Sequence, residues 1–246
     1  MNKVIVFGAT SGIAQALQRI MAAQGKSLLL VGRSQARLAE VAADLKARGA
    51  AQALTCEADL AEVAQHKRVL EFAQQNLAGF DTVVVAYGTL LDQGGAPLTP
   101  QRVQQELHTN FVSVAALLTA LTPHFEARRG GTIAVLTSVA GDRGRRSNYV
   151  YGSAKGGLGL FLQGLRSQLF PAGVRVLTIK PGPVNTPMTA HMKKGAIFSE
   201  PDAVAQQIYR ALENGSADVV YTPARWKWIM LAIRAIPERW FKKLSL

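Results

Sequence analysis

The sequence predicts an α/β protein with one doubly wound parallel sheet, and three observations carry that prediction. Short runs of β-branched residues alternate with longer stretches of helix-forming residues, as in folds with helices on both faces of a sheet. Most strand candidates are nearly continuous in apolar residues, which is expected of strands covered on both faces. A glycine-rich turn follows the first strand, where such folds bind phosphate.

The sequence predicts seven strands with helices between them. Right-handed crossovers, with a phosphate site after the first strand, predict the strand order 3-2-1-4-5-6, with a seventh strand at the edge. A change in composition near Pro223 divides the chain into a domain at 1–222 and a basic, aromatic tail at 223–246. The predicted strands are 4–7, 27–31, 51–56, 82–86, 132–137, 174–179 and 218–221, and clear helical stretches are 15–24, 35–48 and 63–77.

Composition narrows the class of protein. The chain has 246 residues, 48% of them hydrophobic, which excludes intrinsic disorder and allows a full core. A single cysteine, Cys56, excludes a disulfide framework, and four scattered histidines suggest no metal site. The apolar run after Lys3 is too short for a signal peptide, and no stretch reaches the roughly 18–20 apolar residues of a membrane span. We therefore expect a cytoplasmic protein.

The net charge of +12 predicts attraction to a polyanion, which is nucleic acid, an anionic membrane surface or a phosphorylated substrate. The two basic clusters fall in one loop and in an aromatic tail, without a nucleic-acid-binding motif. We therefore expect no nucleic-acid partner.

The turn from Gly8 to Ala14 opens the first helix. Glycines there let the backbone approach a pyrophosphate, and the helix N-terminus then faces the anion. The alternative is a glycine turn that only connects the strand to the helix. The second strand ends at Arg33 and Ser34 without the acidic residue that an NAD site places on the ribose 2′-hydroxyl. Donors at this position favour NADPH, whereas the alternative for Arg33 is a solvated loop residue.

Tyr151 and Lys155 are spaced by four residues, which places them on one face of a helix. A free tyrosine has a pKa of about 10, and a nearby ammonium is expected to lower it. Tyr151 then becomes usable for proton transfer to a carbonyl oxygen. Tyr149 lies off that face, and Ser138, at the end of the fifth strand, could hydrogen bond to the same oxygen. The alternative is an ordinary surface pair.

Together these motifs resemble the short-chain dehydrogenase/reductase family, and the resemblance covers essentially residues 1–222. Its departures are Ala14, where a glycine is usual, and Ala86-Tyr87-Gly88, where Asn-Ala-Gly is usual. The matching residues are Gly8-x-x-x-Gly12-x-Ala14, Asp59, Ala86-Tyr87-Gly88, Asn110, Ser138, Tyr151-x-x-x-Lys155 and Pro181-Gly182.

The resemblance implies a Rossmann-type NAD(P)-dependent oxidoreductase, in this chain with NADPH, that commonly forms homo-oligomers. Tyr151 resembles the acid–base group, Lys155 the group that tunes it, and Ser138 the substrate anchor. Asn110 resembles the residue that holds a relay water. The implied cofactor-binding residues are Gly8, Thr10, Ser11, Gly12, Ile13, Arg33, Asp59, Leu60, Ala86, Gly88, Tyr151, Lys155, Pro181, Gly182, Val184 and Thr186.

Two basic clusters lie outside these motifs. Arg143, Arg145 and Arg146 are in the loop between Ser138 and Tyr151, and arginine suits phosphate; we predict a substrate phosphate there, the alternative being a solvated or subunit-contact loop. Residues 225–246 hold six Lys/Arg and one Glu, a net charge of +5. Their tryptophans and helical apolar spacing are typical of an interfacial membrane anchor, the alternative being a helix packed on the domain or on a second subunit.

Residues 141–151 and 236–239 resemble a narrower group, the decaprenylphosphoryl-2-keto-erythro-pentose reductases. This resemblance implies reduction of a 2-keto sugar on a polyprenyl phosphate, as the second half of a 2′-epimerisation, with a separate flavin oxidase as partner. It also implies a peripheral position on the inner face of the membrane. The competing hypotheses are a soluble reductase of a small ketone or acyl substrate and a non-catalytic dinucleotide-binding module.

Overall fold

The computed structural model describes residues 1–91 and 97–244. Its strands form one parallel sheet in the order β3-β2-β1-β4-β5-β6-β7, so the predicted fold and strand order are confirmed. The strands are β1 (Lys3–Phe7), β2 (Ser27–Gly32), β3 (Gln52–Glu57), β4 (Thr82–Val85), β5 (Gly131–Leu136), β6 (Val174–Pro181) and β7 (Val219–Thr222).

Helices cover both faces of this sheet. A π-helix at His108–Val112 and a 3-10 helix at Val139–Asp142 interrupt the pattern near the carboxyl ends of the strands. The α-helices in the described residues are α1 (Gly12–Ala23), α2 (Gln35–Ala47), α3 (Ala64–Leu77), α4 (Pro100–Leu107), α5 (Ser113–Arg128), α6 (Tyr149–Leu169), α7 (Pro201–Asn214), α8 (Arg225–Ala235) and α9 (Glu238–Phe241).

The alternation of side chains along β1 explains the two hydrophobic cores. Ile5 and Phe7 belong to the core on one face, whereas Val4 and Val6 belong to the core on the other, because successive residues of a strand point to opposite faces. Both cores need an apolar run, which is why the strand sequences do not alternate with polar residues.

Helix α1 begins earlier than predicted, at Gly12 instead of residue 15. Ser11 is its N-cap, and the Ser11 hydroxyl accepts a hydrogen bond from the Ala14 amide at 3.3 Å. The glycine turn is therefore partly the first turn of the helix. It lies where the strand order reverses between β1 and β4, which is the switch point at which doubly wound sheets bind ligands.

The tail forms the predicted amphipathic helix, α8, and packs on the domain. Trp226 and Met230 are buried and form a small core with Val139. The expectation that all three tryptophans are free to enter a membrane is wrong for Trp226. This side chain fills space beside the loop between Ser138 and Tyr151, which we call the catalytic loop. Trp228 and Trp240 remain 66% and 55% exposed.

Within residues 1–91 and 97–244, no helix is both long and apolar enough to cross a membrane.

Candidate active site

The glycine turn has the shape of a backbone cradle. Gly8 has a φ of +83°, a conformation that favours glycine, and a Cβ there would lie 2.6 Å from the Tyr87 amide nitrogen. A Cβ at Gly12 would lie 2.9 Å from the Thr186 side chain. Ala14 is buried, so its methyl group fits where a third glycine is usual. The turn therefore fits a pyrophosphate, with Thr10, Ser11 and Ile13 beside it.

The end of β2 is open to solvent and carries a free cation. Arg33 is exposed, and its guanidinium contacts no hydrogen-bond acceptor in the described part of the chain. The carboxylate of Glu57, from the neighbouring strand, accepts from the Gln35 amide at 3.3 Å. Asp59 accepts from the Ala61 amide at 3.0 Å, and Leu60 is buried behind it. Arg33 is thus available to an anionic group at this edge.

The structure brings Ser138, Tyr151 and Lys155 together beside the carboxyl end of β5. The Ser138 and Tyr151 hydroxyls share a hydrogen bond. The Lys155 ammonium donates to the Leu136 carbonyl at 3.3 Å and lies 5.8 Å from the centroid of the Tyr151 ring. Both helical residues come from the first two turns of α6, as their spacing predicts.

Burial controls the pKa values of this pair. It raises the pKa of Tyr151 to about 12, although the hydrogen bond from Ser138 lowers it. It also lowers the pKa of Lys155 to about 8, against the opposing charge of Glu106. The sequence-based expectation of a lowered tyrosine pKa is therefore wrong for this structure, because desolvation, together with the nearby charge of Glu106, raises it. Tyr151 keeps its proton at neutral pH and is equipped to act as an acid.

Asn110 lies in the π-helix and is held by hydrogen bonds on both ends of its amide. Its Nδ2 donates to the Thr89 hydroxyl at 3.0 Å and to the Glu106 carbonyl at 3.1 Å, and its Oδ1 accepts from the Thr89 amide at 3.2 Å. Single π-turns inside helices are frequent at functional sites. Sequence reasoning missed Glu106 and Thr89; the spacing of four between Glu106 and Asn110 was the available signal.

The segment after β6 closes the other side of the site. Pro181 and Val184 are buried, and a Cβ at Gly182 would overlap the Trp226 indole. The Trp226 Nε1 is buried and contacts no acceptor in the described residues. Sequence reasoning placed Trp226 at a membrane, whereas the structure makes it a wall behind the Pro181-Gly182 motif.

On the β4 side, Ala86 is buried and Gly88 faces Asn110 and Lys155.

The three arginines of the catalytic loop have different environments. Arg143 donates from Nη1 to the carbonyls of Ile233 and Ile236 at 2.7 and 2.5 Å. Its Nη2 pairs with Glu238 at 3.0 Å, and its guanidinium lies 3.7 Å from the centroid of the Phe241 ring. Arg143 holds the tail, so the expectation that it binds substrate phosphate is corrected.

The other two arginines have no such partners. Arg146 is exposed. The Nε of Arg145 is buried without an acceptor among the described residues, and burial lowers the pKa of this guanidinium. Both remain candidates for an anionic ligand.

A turn shaped for pyrophosphate beside a half-buried, protonated tyrosine is typical of dinucleotide-dependent oxidoreductases as a class. Residues 2–196 match the family model for short chain dehydrogenases. The chain belongs to this family, and its members include both relatives of known reaction and relatives known only as oxidoreductases.

Individual comparisons agree with this assignment. An uncharacterized oxidoreductase of Mycobacterium tuberculosis is 37% identical over 235 residues, which span 96% of this chain and 94% of that protein. The ketoacyl reductase HetN of Nostoc is 28% identical, over 88% of this chain and 77% of its own. A short-chain dehydrogenase from Sphingobium yanoikuyae, solved in complex with NADPH, matches with a TM-score of 0.82 at 24% identity over 97% of both chains.

Proposed function

We propose that the protein is an NADPH-dependent ketoreductase. The observation that carries this proposal is the half-buried Tyr151, whose hydroxyl keeps its proton and shares a hydrogen bond with Ser138. A protonated phenol at this position is an acid for a carbonyl oxygen that gains negative charge. The HetN relative, named a ketoacyl reductase, supports the same class of reaction.

Each residue of the site has its own role in carbonyl reduction. Bound NADPH supplies the hydride. The Ser138 and Tyr151 hydroxyls hold the carbonyl oxygen, and Tyr151 transfers its proton to that oxygen. The Lys155 ammonium stabilises the phenolate that Tyr151 becomes, because an opposite charge nearby favours the ionised form. Asn110, fixed by Thr89 and Glu106, orders the polar end of the site.

The preference for NADPH rests on Arg33, whose exposed guanidinium suits a 2′-phosphate. We expect Arg33→Asp to shrink or reverse this preference, because a carboxylate repels the phosphate and accepts from a ribose hydroxyl. Dissociation constants for NADPH and NADH, measured by nicotinamide fluorescence, test this. Arg37→Asp, one turn further into α2, is the matched control. Equal affinity of the parent protein for both cofactors would contradict the assignment.

The proposed substrate is a 2-keto sugar carried on a polyprenyl phosphate, supplied by a separate flavin oxidase as the first half of a 2′-epimerisation. Support comes from Arg145 and Arg146, two cations in the loop that joins Ser138 to Tyr151, whose side chains make no hydrogen bond or ion pair with the described residues. A phosphate bound there would occupy the unpaired Arg145 Nε. The sugar carbonyl would then lie on the Tyr151 side of the loop.

The proposed position is cytoplasmic, on the inner face of the membrane. On the tail, Trp228, Leu231 and Trp240 are more than half exposed, and all six of its basic residues are exposed beside them. Basic residues near an anionic surface contribute about 1 kcal/mol each, and tryptophan inserts at the interface. The exposed face of the tail therefore suits an anionic bilayer.

We expect the double variant Trp228→Gln and Trp240→Gln to reduce a lipid-linked keto sugar in anionic vesicles at least about tenfold more slowly, since interfacial insertion is lost. Turnover of a short, soluble analogue with the same phosphate is expected to stay at the parent level, because neither side chain lies at the catalytic residues. Phe170→Gln is the matched control, since Phe170 is 78% exposed and lies just before the amino end of β6, away from the tail. Equal rates for parent and double variant on vesicles would overturn the membrane position.

A second candidate function is reduction of a small ketone or acyl substrate away from membranes, favoured by the similarity to HetN. Under that function, the soluble analogue without phosphate would be reduced as well as the phosphorylated one.

We also propose a homo-oligomer. The groove between α5 and α6, with Leu160 69% exposed, is a candidate subunit contact, testable by light scattering.

A further inference from the structure

A buried carboxylate lies behind the catalytic residues, and its charge has no role in the steps above. Glu106 is 4% exposed at the last turn of α4. Its Oε2 accepts from the Thr89 hydroxyl at 2.6 Å, and its Oε1 accepts from the Leu91 amide at 3.1 Å. A buried carboxylate is costly unless it is bound by donors or paired with a cation, so its retention here needs an explanation.

Two links connect Glu106 with the active site. The first is a chain of hydrogen bonds: Asn110 Nδ2 donates to the Thr89 hydroxyl at 3.0 Å, and that hydroxyl donates to Glu106. Asn110 also donates to the Glu106 carbonyl. The orientation of the Asn110 amide therefore depends on the carboxylate being an acceptor.

The second link is to Lys155. A Cβ at Gly88 would contact both Asn110 Oδ1 and Lys155 Nζ, the latter at 3.3 Å, so the amide and the ammonium meet above the same glycine. In the described residues, no carboxylate lies within 4.0 Å of Lys155. Other titratable groups on the elements around α6 are engaged elsewhere: His108 with the Ala61 carbonyl, Asp142 with Lys180 and Tyr221, Arg143 with Glu238, and Glu126 with Gln168.

We propose that Glu106 is a positioning residue of the active site, which orients Asn110 through Thr89 and supplies the counter-charge of the buried Lys155 ammonium. This inference rests on the proposed function, because the Lys155 ammonium is the group that stabilises the Tyr151 phenolate. The sign of the effect follows from the charges. The Glu106 anion favours charged Lys155, whose pKa is about 8, so its loss lowers that pKa further and leaves less ammonium at neutral pH.

The test is Glu106→Gln, which keeps the shape of the side chain and removes its charge. The ionisation of Lys155 is followed by NMR of ¹³C-labelled lysine, assigned with Lys155→Met, and needs neither cofactor nor substrate. We expect the Lys155 midpoint to fall by about half a pH unit or more. We expect kcat for ketone reduction to fall about tenfold, the effect of losing one hydrogen bond to a charged group. In the pH profile of kcat, the decline on the alkaline side should begin at a lower pH than in the parent protein. Glu213→Gln, which removes an exposed carboxylate from α7, is the matched control and should change neither.

The outcomes separate this inference from the proposed function. A shifted Lys155 midpoint in a protein that reduces no carbonyl would support the counter-charge and contradict the ketoreductase. An unshifted midpoint in an active reductase would overturn the inference. If Glu106→Gln does not fold, Thr89→Val breaks the chain at an exposed residue and should lower kcat several-fold, whereas Thr89→Ser should restore it. A parent-like kcat in Thr89→Val would also overturn the inference.

Discussion

Tyr151→Phe is expected to lower kcat by about 10²–10⁴, the usual contribution of general acid catalysis. The substitution keeps the ring in its half-buried place on α6 and removes only the hydroxyl that shares a hydrogen bond with Ser138. The dissociation constant of NADPH should stay near the parent value, because Lys155 and the glycine turn are untouched. Single-turnover oxidation of bound NADPH by a ketone measures the first effect, and nicotinamide fluorescence the second.

Tyr149→Phe is the matched control for this variant. Tyr149 begins the same helix and is 49% exposed, so loss of its hydroxyl should leave kcat unchanged. Turnover by Tyr151→Phe at close to the parent rate would mean that another group donates the proton. The buried Tyr87 is not such a group, since its hydroxyl binds Ser113 at 3.1 Å beneath the site.

Arg143→Ala is expected to lower the free energy of unfolding by about 3 kcal/mol, from hydrogen bonds to a charged group and a cation–π contact. The guanidinium joins the catalytic loop to the end of α8, to Glu238 and to the ring of Phe241, and alanine replaces none of these contacts. The carbonyls at the end of α8 would lose their donor as well. Urea denaturation measures the change.

Two neighbouring substitutions make this prediction specific. Arg143→Lys keeps the charge but not the planar fork of donors, and should recover only part of the lost stability. Arg146→Ala, in the same loop but exposed, should leave the free energy of unfolding within about 0.5 kcal/mol. The idea that Arg143 holds the tail fails if Arg143→Ala and Arg146→Ala are equally stable.

The same contacts change how the tail must be tested. Deleting residues 224–246 would uncover Val139 and leave the Arg143 guanidinium without its carbonyl acceptors, so a truncated protein reports on stability as well as on membrane binding. Substitutions at the exposed Trp228 and Trp240 separate the two effects, because neither side chain belongs to the buried core around Met230.

Glu106 and Tyr151 illustrate a limit of reasoning from local spacing. Four residues separate Glu106 from Asn110, as four separate Tyr151 from Lys155, and in both pairs the helix brings the side chains to one side. Spacing alone did not distinguish the pair Glu106 and Asn110, with its buried carboxylate, from the many residue pairs of the same spacing that are exposed to solvent. The distinction comes from Thr89, which reaches Glu106 from the loop after β4.

Local pattern by itself determined the architecture of this protein. Apolar runs, helical periodicity and the glycine turn predicted the strand order, and the spacing of Tyr151 and Lys155 predicted a common helical face, because these features depend on residues within a few positions of one another. Tertiary structure alone decided three other properties: the raised pKa of Tyr151, the burial of Trp226 and the commitment of Arg143 to the tail. The first depends on how much water the whole fold excludes, and the other two join residues 44 and 90 positions apart, contacts that only the packing of distant elements creates.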